Sequence, residues 1–332
     1  MRDKIVLITL GDPGGVGPEV AIKAHGRFAD RQIVFVGDTT VVRRALDLLG
    51  LKLTLNEIAS VNEADFQRNV VNVLPLNELD TDVVSAPTAQ GGRASAAYIK
   101  RAVEILLKGD AHALVTAPIS KEALRLAGVD FSGHTEMLAH LTSTEQYAMM
   151  LCGGPLRVIL VTIHVPLKDV PSLITTQRVL KTIRLASKAA AMFKLANPRI
   201  AVAGLNPHAG EAGILGMEED RYILPAIRQA QAEAIAVTGP YPPDTVFHRA
   251  YKGELDIIVC MYHDQGLIPL KMIAFDTGVN ITIGLPFVRT SPDHGTAFDI
   301  AWRGIANCGS MVEAIAMAIE SESLLTVAGL DA

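Results

Sequence analysis

Three histidines stand where side chains on an α/β sheet commonly bind ligands. Each follows a short apolar run of strand type: His164, His208 and His263. Parallel strands end at one edge of a sheet, so these side chains are expected to converge there. Three neutral imidazoles with open positions are typical of a catalytic site for Zn²⁺, Co²⁺ or Ni²⁺. The wide spacing matches no short metal motif, and the alternative is that all three are loop histidines that satisfy backbone groups.

A second group of residues is suited to binding an anion. Lys271 offers a point charge and Arg289 a bidentate fork. Both lie among apolar or Gly-rich residues, where an unpaired charge is unfavourable. Asn280 lies between them, and His134 and Thr135 open a predicted helix, whose N-terminal amides favour a phosphate or carboxylate. The alternative for each basic residue is a solvated surface charge.

The segment Met261–Lys271 carries members of both groups, His263 and Lys271, and follows a buried strand run. Gly266 predicts that the backbone turns here. Pro269 predicts that no helix follows the strand immediately.

The Gly-rich stretch Gly11–Gly17 follows the first strand and precedes a helix, as a dinucleotide-binding loop does. It does not match G-x-G-x-x-G, Pro13 removes one amide donor, and Asp12 would repel an adjacent pyrophosphate. The nucleotide is therefore not assigned to this loop, and Asp12 and Glu19 are expected to orient other groups or substrate hydroxyls. Neither a nucleophile elbow nor a Walker A sequence occurs.

Bulk properties exclude several classes of protein. The chain has 332 residues, a net charge of −5 and three cysteines without paired spacing. The charge gives no support for nucleic-acid binding, and the cysteines argue against a disulfide or zinc framework. No signal-peptide pattern and no run of about 18 apolar residues occurs, which predicts a cytoplasmic protein without a membrane span.

Strand and helix patterns alternate over the first 75 residues, which predicts a largely parallel sheet. Two strand runs separated only by Gly153, Gly154 and Pro155 then predict an antiparallel hairpin, taken as the start of a second region. Residues 88–92 are predicted to form a loop and residues 94–108 a helix.

Several longer motifs resemble the 4-hydroxythreonine-4-phosphate dehydrogenase family, in the family's order. They are Gly11–Glu19, Gly133–Glu136, Thr162–His164, Asn206–Glu211, Met261–Gly266, Gly278–Thr282, Gly284–Ser291 and Asp293–Ala297. The resemblance extends from near residue 5 to about residue 304. It implies an α/β, isocitrate-dehydrogenase-like fold with two α/β domains and a cleft between them. Residues 1–135 with about 295–332 would form the first domain. Residues 136–294 would form the second, with the metal ligands and the dimer interface.

The resemblance also implies a homodimer with shared active sites. His164 and His208 of one subunit and His263 of the other would bind one divalent metal, either Zn²⁺, Mg²⁺, Co²⁺ or Mn²⁺. The positions that bind the phosphorylated substrate correspond to His134, Thr135, Lys271, Asn280 and Arg289.

The implied activity is NAD- or NADP-linked oxidation and decarboxylation of a 4-phosphorylated 3-hydroxy acid, as in pyridoxine biosynthesis. Lys271 and Asp264 are the candidates for proton transfer. Further candidate contacts to substrate or cofactor are Asp12, Asp244 and Asp293. A metal- and phospho-ligand-binding protein without catalysis is the alternative from another class, and the intact histidines and Lys271 argue against it. A metal-dependent phosphatase or aldolase would act without nicotinamide.

Phe298 and the single tryptophan, Trp302, bear on the choice of substrate. They resemble the branch of the family that acts on D-threonate or D-erythronate 4-phosphate rather than the vitamin B6 branch. The alternative is that they form a packing pair at positions i and i+4 of a helix.

Overall fold

The chain divides into two units in the computed structural model, which describes residues 4–79 and 83–321. The first unit consists of Met1–Glu145 and Leu285–Ala332, and the second of Gln146–Gly284. The second unit is therefore shorter at both ends than the range 136–294 that the sequence suggested, and the strand that carries Arg289 belongs to the first unit.

Six parallel strands of the described chain form the sheet of the first unit. They are β1 (Val6–Thr9), β2 (Ile33–Val36), β3 (Thr54–Glu57), β4 (Val70–Leu74), β5 (Ala113–Thr116) and β12 (Val288–Pro292). Their order is β3-β4-β2-β1-β5-β12, and every neighbouring pair is parallel. Except in β3, every strand residue is buried, as expected for a parallel sheet covered on both faces.

The helices of the first unit are α1 (Gly17–His25), α2 (Thr39–Leu48), α3 (Ala89–Leu107), α4 (Lys121–Leu126), α5 (His134–Leu141) and α11 (Gly309–Glu320). The predicted loop at residues 88–92 is wrong, because α3 already begins at Ala89. The Thr88 hydroxyl caps this helix by accepting from the Gly91 amide at 2.9 Å. Gly92 is needed for packing, since a Cβ there would lie 2.0 Å from the Ala123 carbonyl oxygen of α4.

The second unit contains a mixed sheet. Its strands in the described chain are β6 (Ala148–Gly153), β7 (Leu156–Leu160), β8 (Ile200–Ala203), β9 (Val237–Tyr241), β10 (Ile257–Cys260) and β11 (Val279–Ile283). The order is β11-β6-β7-β10-β8-β9. β6 is antiparallel to both neighbours, which confirms the predicted hairpin, whereas β7, β10, β8 and β9 run parallel.

The helices of the second unit are α6 (Val170–Leu173), α7 (Thr176–Ala189), α8 (Leu224–Ala232), α9 (Pro243–Tyr251) and α10 (His263–Ala274). The prediction that Pro269 prevents a helix after β10 is wrong: α10 begins at His263 and contains Pro269. Burial of Leu267 and Leu270 against the sheet offsets the hydrogen bond that proline removes. Among the described residues, no helix combines the length and the hydropathy needed to cross a membrane.

Gly266 is also a helical residue rather than a turn residue. A Cβ at this position would lie 3.1 to 3.2 Å from the side chains of Cys260, Leu160 and Val158. The missing side chain therefore lets the first turns of α10 lie close to β7 and β10.

Trp302 does not belong to a helix, so the predicted helical packing pair with Phe298 is wrong. Residues 298–302 form turns, and Trp302 has a left-handed φ of 61°. Its indole Nε1 donates to the Pro13 carbonyl at 3.0 Å, and the Arg44 guanidinium lies 4.2 Å from the centroid of its ring. Trp302 thus connects the C-terminal turns of the first unit to the Gly11–Gly17 loop.

Candidate metal and phospho-ligand sites

The three histidines lie beyond the carboxyl ends of three neighbouring parallel strands in the second unit. β10 pairs in parallel with β7 on one side and with β8 on the other. His164 follows β7, His263 follows β10 and His208 follows β8. The three residues are therefore carried on one edge of this sheet, as the strand patterns predicted.

Within one chain, His164 and His263 are brought together. Their ring centroids are 5.5 Å apart. The Nδ1 atom of His263 lies 2.7 Å from Asp264 Oδ1. With a proton on Nδ1, this ring donates to the carboxylate and keeps the lone pair of Nε2 for a ligand. Across residues 4–79 and 83–321, no three His, Cys, Asp or Glu side chains of one chain are grouped closely enough to hold a metal ion.

A series of buried hydrogen bonds ties the three strand ends to one another. Thr162 Oγ1 donates to the Met261 carbonyl at 2.7 Å. The Met261 amide donates to Gln265 Oε1 at 2.6 Å, and Gln265 Nε2 donates to the Gly204 carbonyl at 2.7 Å. Sequence reasoning missed these roles of Thr162 and Gln265. The only signal was that both lie inside motifs that also contain a candidate ligand.

The anion-binding candidates of the first unit include a buried guanidinium. Arg289 on β12 is 2% exposed, and its Nε and Nη2 atoms donate to Thr116 Oγ1 at 3.1 and 2.6 Å. Burial lowers the pKa of Arg289 to about 9, and the charge of Glu136 opposes this shift. The guanidinium is still cationic at neutral pH, in a place where a positive charge is poorly hydrated.

His134, the first residue of α5, belongs to the same group. Burial lowers its pKa well below the usual value, and the positive charge of Arg289 lowers it further. The imidazole is therefore neutral at physiological pH. Its Nε2 atom is buried and has no hydrogen-bond partner in the described part of the chain. Thr135 beside it is 6% exposed. A neutral imidazole, a helix N-terminus and a guanidinium together suit a phosphate.

The other two substrate candidates lie in the second unit. Lys271 is on α10, two turns beyond His263, which corresponds to about 12 Å along the helix axis. Its ammonium lies 5.9 Å from the Phe275 ring centroid. Asn280 is on β11, and its Oδ1 atom is buried without a partner among the described residues. An unsatisfied buried amide oxygen is suited to receive a donor from a ligand.

The Gly11–Gly17 loop uses its amides within the protein. Asp12 N donates to the Pro118 carbonyl, Gly14 N to Asp12 Oδ1, Gly15 N to the Asp12 carbonyl and Val16 N to the Thr296 carbonyl. A phosphate-binding loop instead points such amides at its ligand. These four amides are therefore occupied within the protein rather than directed at a nucleotide phosphate.

Asp12 is nevertheless unusual, because it is fully buried and one of its carboxylate oxygens, Oδ2, has no partner in the described ranges. Burial raises the pKa of Asp12 to about 6, and the hydrogen bond from Gly14 opposes the shift. A hydroxyl donor of a substrate or of a cofactor ribose would satisfy this oxygen. Glu19 has a similar arrangement: its Oε1 accepts from the Ala306 amide at 3.0 Å, and its buried Oε2 has no partner in the described ranges.

The two remaining aspartates have different settings. Asp244 is exposed in the first turn of α9. Asp293 follows β12 directly, and its amide donates to Ser310 Oγ at 3.0 Å.

Parallel strands followed by imidazole and carboxylate side chains, with a buried guanidinium on one strand, define an α/β protein of the ligand-binding or enzymatic class. Similarity to known proteins identifies the family within this class. The model of the family described as the pyridoxal phosphate biosynthetic protein PdxA matches residues 29–318. The chain belongs to this family.

Individual relatives cover nearly the whole chain. It is 45% identical to a 4-hydroxythreonine-4-phosphate dehydrogenase of Desulforapulum autotrophicum, over 95% of this chain and 94% of the relative. It is also 45% identical to the D-threonate 4-phosphate dehydrogenase of Salmonella typhimurium, over 96% and 99%. The crystal structure of the Klebsiella pneumoniae 4-hydroxythreonine-4-phosphate dehydrogenase superposes with a TM-score of 0.89 at 44% identity, covering 97% and 99%. The chain is thus a member of a family of NAD-dependent oxidoreductases that act on CH–OH groups.

Proposed function

We propose that the protein oxidises and decarboxylates a 4-phosphorylated 3-hydroxy acid of the 4-hydroxythreonine 4-phosphate type, with NAD or NADP as the oxidant. The proposal is supported by relatives of that name at 45% identity over most of both chains. The observation that carries the phosphate assignment is the buried Arg289 guanidinium, with neutral His134 beside it. These two residues and Thr135 would hold the phosphate, and Lys271 and Asn280 are the proposed substrate-binding residues of the second unit.

A divalent metal is the second part of the proposal. His164, His208 and His263 would hold it, and their imidazole nitrogens fit Zn²⁺ or Co²⁺ better than Mg²⁺ or Mn²⁺. The contact between His263 and Asp264 also fits, because metal-binding imidazoles usually donate their second nitrogen to a carboxylate or carbonyl. When bound, the metal would supply Lewis acidity toward the hydroxyl and carboxylate oxygens of the substrate.

Side chains of the protein would carry the protons that the reaction releases and takes up. Oxidation at carbon 3 passes a hydride to the nicotinamide and releases the hydroxyl proton to a base. Loss of CO₂ from the 3-keto acid then leaves a carbanion equivalent at carbon 2 that takes up one proton. Lys271 is the preferred carrier of these protons. Asp264 is the second candidate, although its contact with His263 favours a role in orienting that ring.

D-threonate or D-erythronate 4-phosphate is the second candidate substrate. One relative at 45% identity is a D-threonate 4-phosphate dehydrogenase. The contacts of Trp302 with Pro13 and Arg44 connect this aromatic residue to the loop that carries Asp12. Oxidation and decarboxylation of either sugar acid would give dihydroxyacetone phosphate.

We further propose a homodimer with a shared active site, in the cytoplasm. α10 carries an exposed apolar stripe at i, i+4 and i+7, made by Ile268, Met272 and Phe275. Their exposed fractions are 60%, 82% and 76%, and apolar stripes of this kind usually meet a partner. Because α10 begins with His263, a second copy on this stripe would approach the histidine edge. The three unpaired cysteines agree with a reducing compartment.

The test is an activity screen of chelator-treated protein. Phosphorylated 4-hydroxythreonine, D-threonate and D-erythronate would each be supplied with NAD or NADP and with Mg²⁺, Mn²⁺, Co²⁺ or Zn²⁺. We expect metal-dependent nicotinamide reduction with at least one phosphorylated acid and none with its unphosphorylated form. Turnover with no member of the set would reject the proposal. Product formation without nicotinamide reduction would favour a phosphatase or aldolase, and ligand binding without turnover would favour a non-catalytic binding protein.

A further inference from the structure

The backbone around His208 is held in an unfavourable conformation. Residues 208–213 all have a left-handed φ, and four of them are not glycine: His208, Ala209, Glu211 and Ala212. Each such residue costs roughly 1–2 kcal/mol relative to an ordinary conformation. Runs of this kind persist only where the surrounding structure fixes them, and they concentrate at functional sites.

The residue that fixes this loop is Glu219. Its side chain is 3% exposed, and its Oε1 atom accepts from the amides of Leu205 and Asn206 at 2.7 and 2.8 Å. Its Oε2 atom accepts from Asn206 Nδ2 at 2.9 Å. Hydrogen bonds to a charged group contribute about 1.5–3 kcal/mol each, which is enough to oppose the strain of the loop.

The packing around Glu219 is equally specific to this loop. A Cβ at Gly204 would lie 3.1 Å from Glu219 Oε1, and a Cβ at Gly210 would lie 2.7 Å from Oε2. Both glycines flank the segment that carries His208. Glu219 is also the first residue of a π-helical turn, Glu219–Ile223, an irregularity that often occurs at functional sites and redirects side chains.

We propose that Glu219 is a positioning residue for His208. The carboxylate holds the backbone two residues before His208, and thereby fixes where the imidazole stands relative to the histidines that follow β7 and β10. This inference rests on the metal site proposed above, and it adds a residue that lies in none of the motifs singled out in the sequence.

The test is a double-mutant cycle on metal affinity. Full-length, chelator-treated protein would be titrated with Co²⁺ alone, following both the dissociation constant and the visible cobalt spectrum. We expect Glu219→Gln to weaken Co²⁺ binding by about 10- to 100-fold and to alter the spectrum. In a His208→Ala background, the same change should alter the Co²⁺ affinity by less than about twofold, because the residue through which it acts is gone.

The matched control is Glu218→Gln. This neighbouring carboxylate accepts from Asn206 Nδ2 at 2.8 Å, whereas the Leu205 and Asn206 amides donate to Glu219, so a change of less than about threefold is expected. If Glu219→Gln does not fold, Asn206→Ala removes the side-chain contacts with Glu219 and Glu218 and should weaken Co²⁺ binding by more than Glu218→Gln does.

Two results would overturn the inference. One is unchanged Co²⁺ binding in the folded Glu219 or Asn206 variant. The other is a loss of Co²⁺ affinity on Glu219→Gln that is equally large with His208 and with His208→Ala. A third outcome separates the two proposals: if His208→Ala itself leaves Co²⁺ binding intact, the metal site is wrong and the positioning role falls with it. A loss with His208→Ala but not with Glu219→Gln rejects the positioning role alone.

Discussion

Asp12 in the first unit and Glu219 in the second are both buried carboxylates in polar segments beyond the carboxyl ends of strands, yet their surroundings differ. They are 0% and 3% exposed. Asp12 accepts one hydrogen bond, from Gly14 N at 2.9 Å, and its Oδ2 atom has no partner in the part of the chain described. Glu219 accepts from the two amides of Leu205 and Asn206 and from the Asn206 side chain, so both of its oxygens are used.

The difference separates two uses of a buried charge. A carboxylate whose oxygens are all bonded stabilises the segment that bonds it, which is the arrangement around His208. A carboxylate with an unsatisfied oxygen destabilises its own ionised form, and for that reason burial raises the pKa of Asp12 to about 6. Such a group persists where a ligand supplies the missing donor.

The largest expected effect is on the free energy of unfolding, which two matched substitutions of a carboxylate by an amide should change in opposite directions. Glu219→Gln replaces a fully bonded acceptor and should lower the free energy of unfolding by about 2–4 kcal/mol. Asp12→Asn keeps the acceptor for Gly14 and removes an unsatisfied charge, so at pH 8 it should raise the free energy of unfolding by about 1–3 kcal/mol. Denaturant titration of both variants measures the difference, and effects of the same sign would refute the comparison.

The glycine beside each carboxylate gives a second, smaller contrast. Gly210→Ala should lower stability by about 3 kcal/mol, because φ is +80° there and the new Cβ would lie 2.7 Å from Glu219 Oε2. Gly91→Ala would place its Cβ 2.8 Å from Asp12 Oδ1, but it also gains about 1 kcal/mol of helix propensity within α3. Thermal unfolding should rank Gly210→Ala as the more harmful change; the reverse order would mean that the Glu219 contact adapts easily.

The smallest effect is a dependence on pH. In the folded state Asp12 takes up a proton below about pH 6, whereas in the unfolded state it does so only near its ordinary value of 3.8. The folded state therefore binds more protons between these values, and the contribution of this group to stability increases as the pH falls, by at most about 1.4 kcal/mol per pH unit.

Comparison with Asp12→Asn isolates this contribution. The free energy of unfolding of Asp12→Asn should exceed that of the unsubstituted protein most at pH 8 and by less at pH 5, as measured by denaturant titration. His25 acts in the opposite direction, because burial lowers its pKa to about 4 and stability is lost as the pH falls below 6.5. That loss is common to both proteins and cancels in the difference. An advantage that does not change between pH 5 and pH 8 would contradict a pKa of about 6 for Asp12.

Short apolar runs were reliable guides to the sheets. The alternation over the first 75 residues predicted a largely parallel sheet, which the parallel pairing of β1, β2, β3 and β4 confirms, and the hairpin of β6 and β7 follows from the few residues between its strands. The histidine edge of the second unit was also predictable, since a residue just after a strand must lie at that strand's end. Helix boundaries near glycine and proline were not, and α10 is the clearest case. Gly266 and Pro269 are unfavourable in an isolated helix, but the sheet that packs against them outweighs the local preference.

By itself, the sequence determined the family, the strand ends and the types of side chain that stand there. Tertiary structure decided which of these polar groups have hydrogen-bond partners within the protein. Trp302 bonds Pro13 across 289 positions of the chain, and Glu219 reaches the His208 loop from a π-helical turn 13 positions beyond Asn206. Residue spacing along the chain predicts local structure such as strands and helices. Burial and hydrogen bonding depend instead on which atoms packing brings together from distant parts of the chain. For this reason Asp12 was recognisable as a polar residue in a glycine loop, but only the fold reveals it as a buried carboxylate with one oxygen left unpaired.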